Sequence, residues 1–124
     1  MRKKLWALFI VAALPTARAA TPFDGKWTVS FGQWSVSAGE VTLIEGKGSW
    51  IIFAPNKAAI TNPCFNRHLP AVVKSASDAE VMIDIDGNSV LAGCLTETLI
   101  LHPGANGTWT GVLGSGMAMT WARE

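Results

Sequence analysis

The chain has 124 residues, 49% of them hydrophobic and 15% charged, with a formal net charge of +1. That length supports one domain with one modest core. Four of the ten basic residues (Arg2, Lys3, Lys4 and Arg18) precede residue 20, so residues 20–124 hold six basic against nine acidic side chains, a net −3. A balance of that sign argues against nucleic acid and against anionic membrane surfaces.

The first element in chain order is a leader. Arg2, Lys3 and Lys4 are followed by the apolar run Leu5–Leu14, then Pro15 and the small-residue triplet Ala17-Arg18-Ala19. This order predicts a secretory signal peptide over residues 1–19, cut between Ala19 and Ala20, and one domain over residues 20–124. The leader is too short to span a bilayer, and no later apolar run approaches the ~20 residues a membrane helix needs. The expected location is therefore periplasmic or secreted, without membrane insertion.

Beyond the leader, apolar residues recur at every second place, the mark of half-buried strands. Lys26–Phe31, Gln33–Val36, Glu40–Glu45 and Ser49–Ala54 are successive candidate strands. Asn56–Arg67 lacks strand character and is expected to hold one helical turn over Lys57–Ile60 before the stiff Asn62-Pro63-Cys64. Pro70–Ser75, Glu80–Asp86, Leu95–His102, Thr108–Leu113 and Met117–Trp121 complete the pattern, with Met117, Met119 and Trp121 on one face. Turn chemistry sits between the runs, at Gly46-Lys47-Gly48, Asp86-Gly87-Asn88, Asn106-Gly107 and Gly114-Ser115-Gly116. Gly32 and Gly111, inside strand-like runs, predict bulges or sharp bends.

About eight short strands joined by tight turns predict an all-β antiparallel meander. An open sheet of that size leaves two edges unpaired and one apolar face wet. Closing it, wholly or partly, into a small β-barrel removes both problems. A two-sheet β-sandwich is the alternative. Cys64 and Cys94 are the whole thiol complement, and an even pair in a small exported domain reads as a disulfide. It closes a loop of about 30 residues and contributes ~3–4 kcal/mol by chain entropy. Leu91-Ala92-Gly93-Cys94 has the letters of a lipoprotein box, but it lies in mid-chain with no basic leader before it.

Gly25-Lys26-Trp27, Gly48-Ser49-Trp50 and Gly107-Thr108-Trp109 repeat one pattern, a glycine at a strand entry and an indole two places on. The expected device is room beside the backbone at glycine and a barrel end filled by the ring. A tryptophan buries ~200 Å² or more, so these rings dominate a core this small. The alternative use is a ligand cup lined by Trp50, Trp109, Met117 and Met119.

Phe23-Asp24-Gly25-Lys26-Trp27 resembles the first-strand F-x-G-x-W signature of the calycin superfamily of lipocalins, fatty-acid-binding proteins and avidins. Arg123, two residues after Trp121, resembles the terminal arginine that covers the first-strand tryptophan in that superfamily. The resemblance implies a barrel whose base is closed by a Trp27–Arg123 cation–π stack. The late segment Gly114-Ser115-Gly116-Met117-Ala118-Met119 is similar to the Ser-Gly-x-x-Tyr loop of small exported barrels that inhibit C-type lysozymes. It departs from that loop in having Met119 at the tyrosine position.

Candidate chemistry is sparse. Asp84-Ile85-Asp86-Gly87-Asn88 starts like a calcium loop, but Ser89 and Leu95 stand where glycine and glutamate are needed. His68 and His102 lack the paired spacing of a zinc site, and no nucleophile elbow accompanies the serines. No catalytic residue, metal or cofactor is therefore expected. The segment Asn62–Leu69 groups Phe65, Asn66, Arg67 and His68 on an irregular loop, where recognition usually resides.

The expected function is that of an exported, non-enzymatic binding protein of the bacterial envelope. In the leading version Phe65, Asn66, Arg67, His68 and Ser115 contact another protein, as an inhibitor or neutralising factor would. A carrier of a small apolar ligand is the alternative, and a minor hydrolase the second alternative.

Overall fold

Successive side chains of an extended strand leave opposite faces, so every second residue of each run enters the same interior. The computed structural model, which describes residues 20–32 and 38–124, realises this in eight strands. β1 (Gly25–Phe31) turns Trp27, Val29 and Phe31 inward, and β2 (Gly39–Ile44) turns in Val41 and Leu43. β3 (Lys47–Ile52) buries Trp50, while β4 (His68–Ala76) buries Leu69, Ala71 and Val73. β5 (Val81–Asp86) contributes Val81, Ile83 and Ile85, and β6 (Thr96–Pro103) contributes Leu99 and Leu101. β7 (Trp109–Val112) is short, and β8 (Ala118–Arg123) turns in Met119 and Trp121. Each strand pairs antiparallel with the next, and β8 returns to β1, so the sheet closes into a barrel. Closure, not a second packed sheet, covers the apolar face. The one disulfide, Cys64–Cys94, is present.

Several boundaries differ from expectation for local reasons. Glu45 leaves β2 and forms with Gly46 a two-residue turn at φ 54° and 76°, across which Ile44 pairs with Lys47. Two consecutive positive φ values are the type I′ combination whose twist suits a hairpin. Lys47 and Gly48 therefore belong to β3 and not to the turn. His68 and Leu69 leave the irregular segment and open β4, because Leu69 pairs with Trp50 and its side chain is buried. The helical turn is one 3-10 turn, Ala59–Thr61. The register shift falls in β4, between Val73 and Ser75 opposite β5, and not at Gly111. The candidate strand Gln33–Val36 and the leader lie outside the described residues.

The three glycine–tryptophan repeats are three different solutions. A Cβ at Gly48 would fall on the Thr42 carbonyl oxygen of the neighbouring strand, and one at Gly25 would stand 2.7 Å from Arg123 Nη1. At Gly107 no described atom lies within 4 Å; there the requirement is the backbone, at φ 78°. Only the first two positions need the space that the pattern suggests.

Inside the barrel, aromatic rings form a continuous column. Trp109 meets Phe23 edge-on at 5.4 Å, Phe23 stacks on Trp27 at 4.2 Å, and Trp27 tilts against Trp121 at 6.4 Å. Trp121 then contacts Trp50 at 5.9 Å, and Trp50 contacts Phe31 at 5.9 Å. The column crosses the barrel from one end to the other, so its middle is filled. The β2–β3, β4–β5 and β6–β7 hairpins gather at one end, the base, with the start of β1 and the end of β8. The β3–β4, β5–β6 and β7–β8 connections gather at the opposite end, the mouth.

Candidate functional site

The base is sealed by the segment that leads into β1 and by the end of β8. Arg123 directly opposes Trp27 in the β1–β8 ladder, and its guanidinium carbon lies 4.2 Å from the indole centroid. Nη1 donates to the Asp24 carbonyl at 2.6 Å and Nη2 to the Pro22 carbonyl at 2.9 Å. Trp27 Nε1 donates to the Phe23 carbonyl at 2.9 Å.

Asp24, which the sequence reading passed over, ties the same end together. Its carboxylate accepts from the Thr21 N–H and hydroxyl at 3.1 and 2.8 Å, and from the Glu45 and Gly46 N–H groups at 2.9 and 2.8 Å. Desolvation pushes this carboxyl up, but the four hydrogen bonds from Thr21, Gly46 and Glu45 together hold it below the ordinary aspartate value of 3.8. The glycine–tryptophan signature marked the plug; the carboxylate that latches the plug onto the β2–β3 turn gave no signal of its own.

The mouth is open. A cavity of about 400 Å³ sits there, floored by Phe31, Ile52 and Leu69. Phe53, Asn62, Cys64 and Phe65 from the β3–β4 connection form one wall. Leu113, Ser115 and Met117 from the β7–β8 hairpin form another, and Gly93 and Leu95 from the β5–β6 connection complete it. Among the described residues, the lining is apolar except for Asn62 and Ser115. The disulfide joins two of these walls, since Cys64 lies in the β3–β4 connection and Cys94 in the β5–β6 connection.

The two sets of candidate residues meet only in part. Phe65 and Ser115, proposed for a partner, and Met117, proposed for a cup, line the same cavity. Trp50 and Met119 are buried in the core and Trp109 packs on Phe23 at the base, so these three do not line it. Met119, at the tyrosine position of the lysozyme-inhibitor loop, points inward with 1% exposure. Asn66 serves the loop itself: its N–H donates to the Ile52 carbonyl at 2.7 Å, and its Oδ1 accepts from the Ala54 N–H at 3.2 Å. Arg67 Nε donates to the Pro63 carbonyl at 3.0 Å. His68 is exposed on β4, its Nδ1 3.1 Å from Ser49 Oγ.

Phe31, Ile52, Phe53, Leu69, Leu95 and Leu113 were missed as site residues. Each sits at or just beyond the mouth end of a strand; consecutive apolar residues, out of phase with alternation, mark Ile52-Phe53, Leu95 and Leu113, whereas Phe31 and Leu69 follow the alternation and carry no such signal. The calcium-like letters have local roles. Asp84 accepts from Thr98 Oγ1 at 2.6 Å and lies 3.7 Å from Lys74 Nζ, while Asp86 accepts from the Ser89 N–H at 3.3 Å.

Comparison with protein-family models, curated proteins and solved structures finds no match. Architecture alone therefore defines the class: a closed eight-stranded antiparallel β-barrel, consistent with a calycin-like fold. A barrel of this kind with a tryptophan-rich interior is consistent with a small binding protein. Among the described residues, no helix is long and apolar enough to cross a membrane.

Proposed function

We propose that this chain is an exported, non-enzymatic binding protein that takes a small apolar molecule into the mouth of its barrel. One observation carries the reading: an apolar cavity of about 400 Å³ opens at the end that the loops surround, above an interior already filled by rings. Small-molecule pockets run from ~300 to 1,000 Å³ and are mostly apolar with a few polar groups for orientation. Asn62 and Ser115 supply such groups here. The basic-then-apolar leader supports export.

The test is native mass spectrometry of the protein isolated from the periplasm, together with titration of the neutral fluorophore N-phenyl-1-naphthylamine. An extra bound mass, and saturable fluorescence competed by that ligand, are expected. A ligand-free spectrum together with no saturable fluorescence overturns the reading.

A second reading, contact with a protein partner, rests on the rim. Phe53 and Met117 are 37% and 40% exposed beside Phe65 and Ser115, the kind of apolar side chains that anchor interfaces. Affinity capture from envelope extract that retains one dominant protein supports it. Unimpaired lysis by a C-type lysozyme at equimolar barrel removes the lysozyme version.

A further inference from the structure

We propose that the Cys64–Cys94 disulfide is a redox switch on the mouth cavity, which holds the β3–β4 wall in place and releases it on reduction. The inference rests on the reading of the cavity as a binding site. Among the described residues, every hydrogen bond made by residues 54–67 ends within residues 52–67: Ala59 N–H to Asn56, Asn62 N–H to Ala59, Phe65 N–H to Asn62, and Asn66 N–H to Ile52 are typical. The facing connection is equally self-contained, with Gly87 and Leu95, Val90 and Gly87, and Gly93 and Asn88 bonded to one another. Among the described residues no hydrogen bond joins the two connections, and the disulfide ties them covalently.

The barrel does not share that dependence. Neither cysteine takes part in any of the eight strand pairings, and the base is locked by Arg123, Trp27 and Asp24. The disulfide therefore bridges two walls of a cavity and no two strands. Cys94 is 5% exposed, whereas Cys64 is half-buried and lines the cavity, so a reductant reaches Cys64 first.

The reductant is a dithiol. Its thiolate attacks Cys64 Sγ, breaks the sulfur–sulfur bond, forms a mixed disulfide at Cys64 and expels Cys94 as a thiolate that takes up a proton. The second sulfur of the dithiol then attacks the mixed disulfide and frees the Cys64 thiol; two cysteines are reduced and the dithiol is oxidised. Residues 54–67 then lose their tie across the mouth, and the cavity loses the part of its wall that carries Asn62 and Phe65, while Phe53 stays bonded to the Ala38 carbonyl.

The experiment compares the oxidised protein, the protein reduced by dithiothreitol, and the Cys64→Ser/Cys94→Ser variant. Trypsin cleavage after Lys57 and Arg67 is expected to be at least tenfold faster in the last two. N-phenyl-1-naphthylamine affinity is expected to fall at least tenfold and to return when the reduced protein is reoxidised. Near-ultraviolet circular dichroism from the tryptophan column is expected to stay constant. Equal cleavage in all three forms overturns the proposal. Loss of the tryptophan signal on reduction also overturns it, because the disulfide would then support the whole fold. Faster cleavage with no fluorophore binding in the oxidised form leaves the mobile wall standing and sinks the cavity reading instead.

Discussion

The guanidinium of Arg123 lies 4.2 Å from the centroid of the Trp27 ring, joining the last strand to the first at the point where the barrel closes. The same guanidinium forks to the carbonyls of Pro22 and Asp24, so one side chain stacks on a ring and ties down the segment that covers it. Exposed cation–π contacts are worth ~0.5–1 kcal/mol, and hydrogen bonds to a charged group somewhat more. Arg123 is solvent-exposed, which discounts both. Arg123→Ala is therefore expected to cost ~1–2 kcal/mol, a drop in Tm of about 5–10 °C for a domain of this size. Arg123→Lys keeps the charge but not the fork, and should recover less than half of the loss in thermal unfolding. A lysine variant indistinguishable from the parent contradicts the bidentate role.

Asp24 makes the base pH-sensitive. Its native carboxyl titrates below the unfolded value of 3.8, so the stabilisation it gives is present above that value and is lost as pH falls through the native one. Asp24→Asn is expected to lower Tm by several degrees at neutral pH. The gap between variant and parent should narrow as pH falls below 3.8 and close below the parent's lowered native value, where its carboxylate also protonates. A gap that is constant from pH 7 to pH 2 counts against the assignment.

The tryptophans are not equivalent. Trp27 Nε1 has an acceptor in the Phe23 carbonyl, whereas Trp50 Nε1 and Trp121 Nε1 are buried with no hydrogen-bond partner among the described residues. A buried donor left unpaired costs ~1–3 kcal/mol. Replacement by phenylalanine removes that cost at Trp121 but removes a made bond and the arginine stack at Trp27. Both variants leave a similar void, so chemical denaturation should find Trp27→Phe at least ~1 kcal/mol worse than Trp121→Phe. Equal losses would mean that ring volume alone decides.

Gly48 and Gly107 separate space from backbone conformation. Gly48→Ala drives a Cβ onto the Thr42 carbonyl of the paired strand, one pair in from the β2–β3 turn, so the backbone itself must shift. Gly107→Ala meets no described atom within 4 Å and strains only a turn at φ 78°. The expected cost is ~1–2 kcal/mol at Gly107 and larger at Gly48, read as the ratio of denaturation midpoints.

Leu113→Trp tests the cavity. The larger ring is expected to fill part of the mouth from the β7–β8 hairpin, lowering fluorophore affinity at least tenfold while Tm changes little, because Leu113 is only partly buried. Unchanged affinity would place the binding elsewhere.

By itself the sequence determined the all-β antiparallel class and the sulfur pair; it favoured a closed or partly closed barrel over a sandwich, and the tryptophan–arginine pairing at the base came only with the calycin resemblance. Period-two alternation is a local signal, and by itself it places Val81, Ile83 and Ile85 on one face of the Glu80–Asp86 run; the unpaired edges favour closure, with a two-sheet sandwich as the alternative. Only the tertiary structure decided which end is plugged and which is open. Trp50, Trp109 and Met117 look alike along the chain, yet one fills the middle, one packs at the base and one lines the mouth. Strand direction and register set these depths, and both depend on pairings between residues far apart in sequence. Asp24 is legible in letters only as part of a signature; its role as a latch exists because the β2–β3 turn, 22 residues away, is folded back against it.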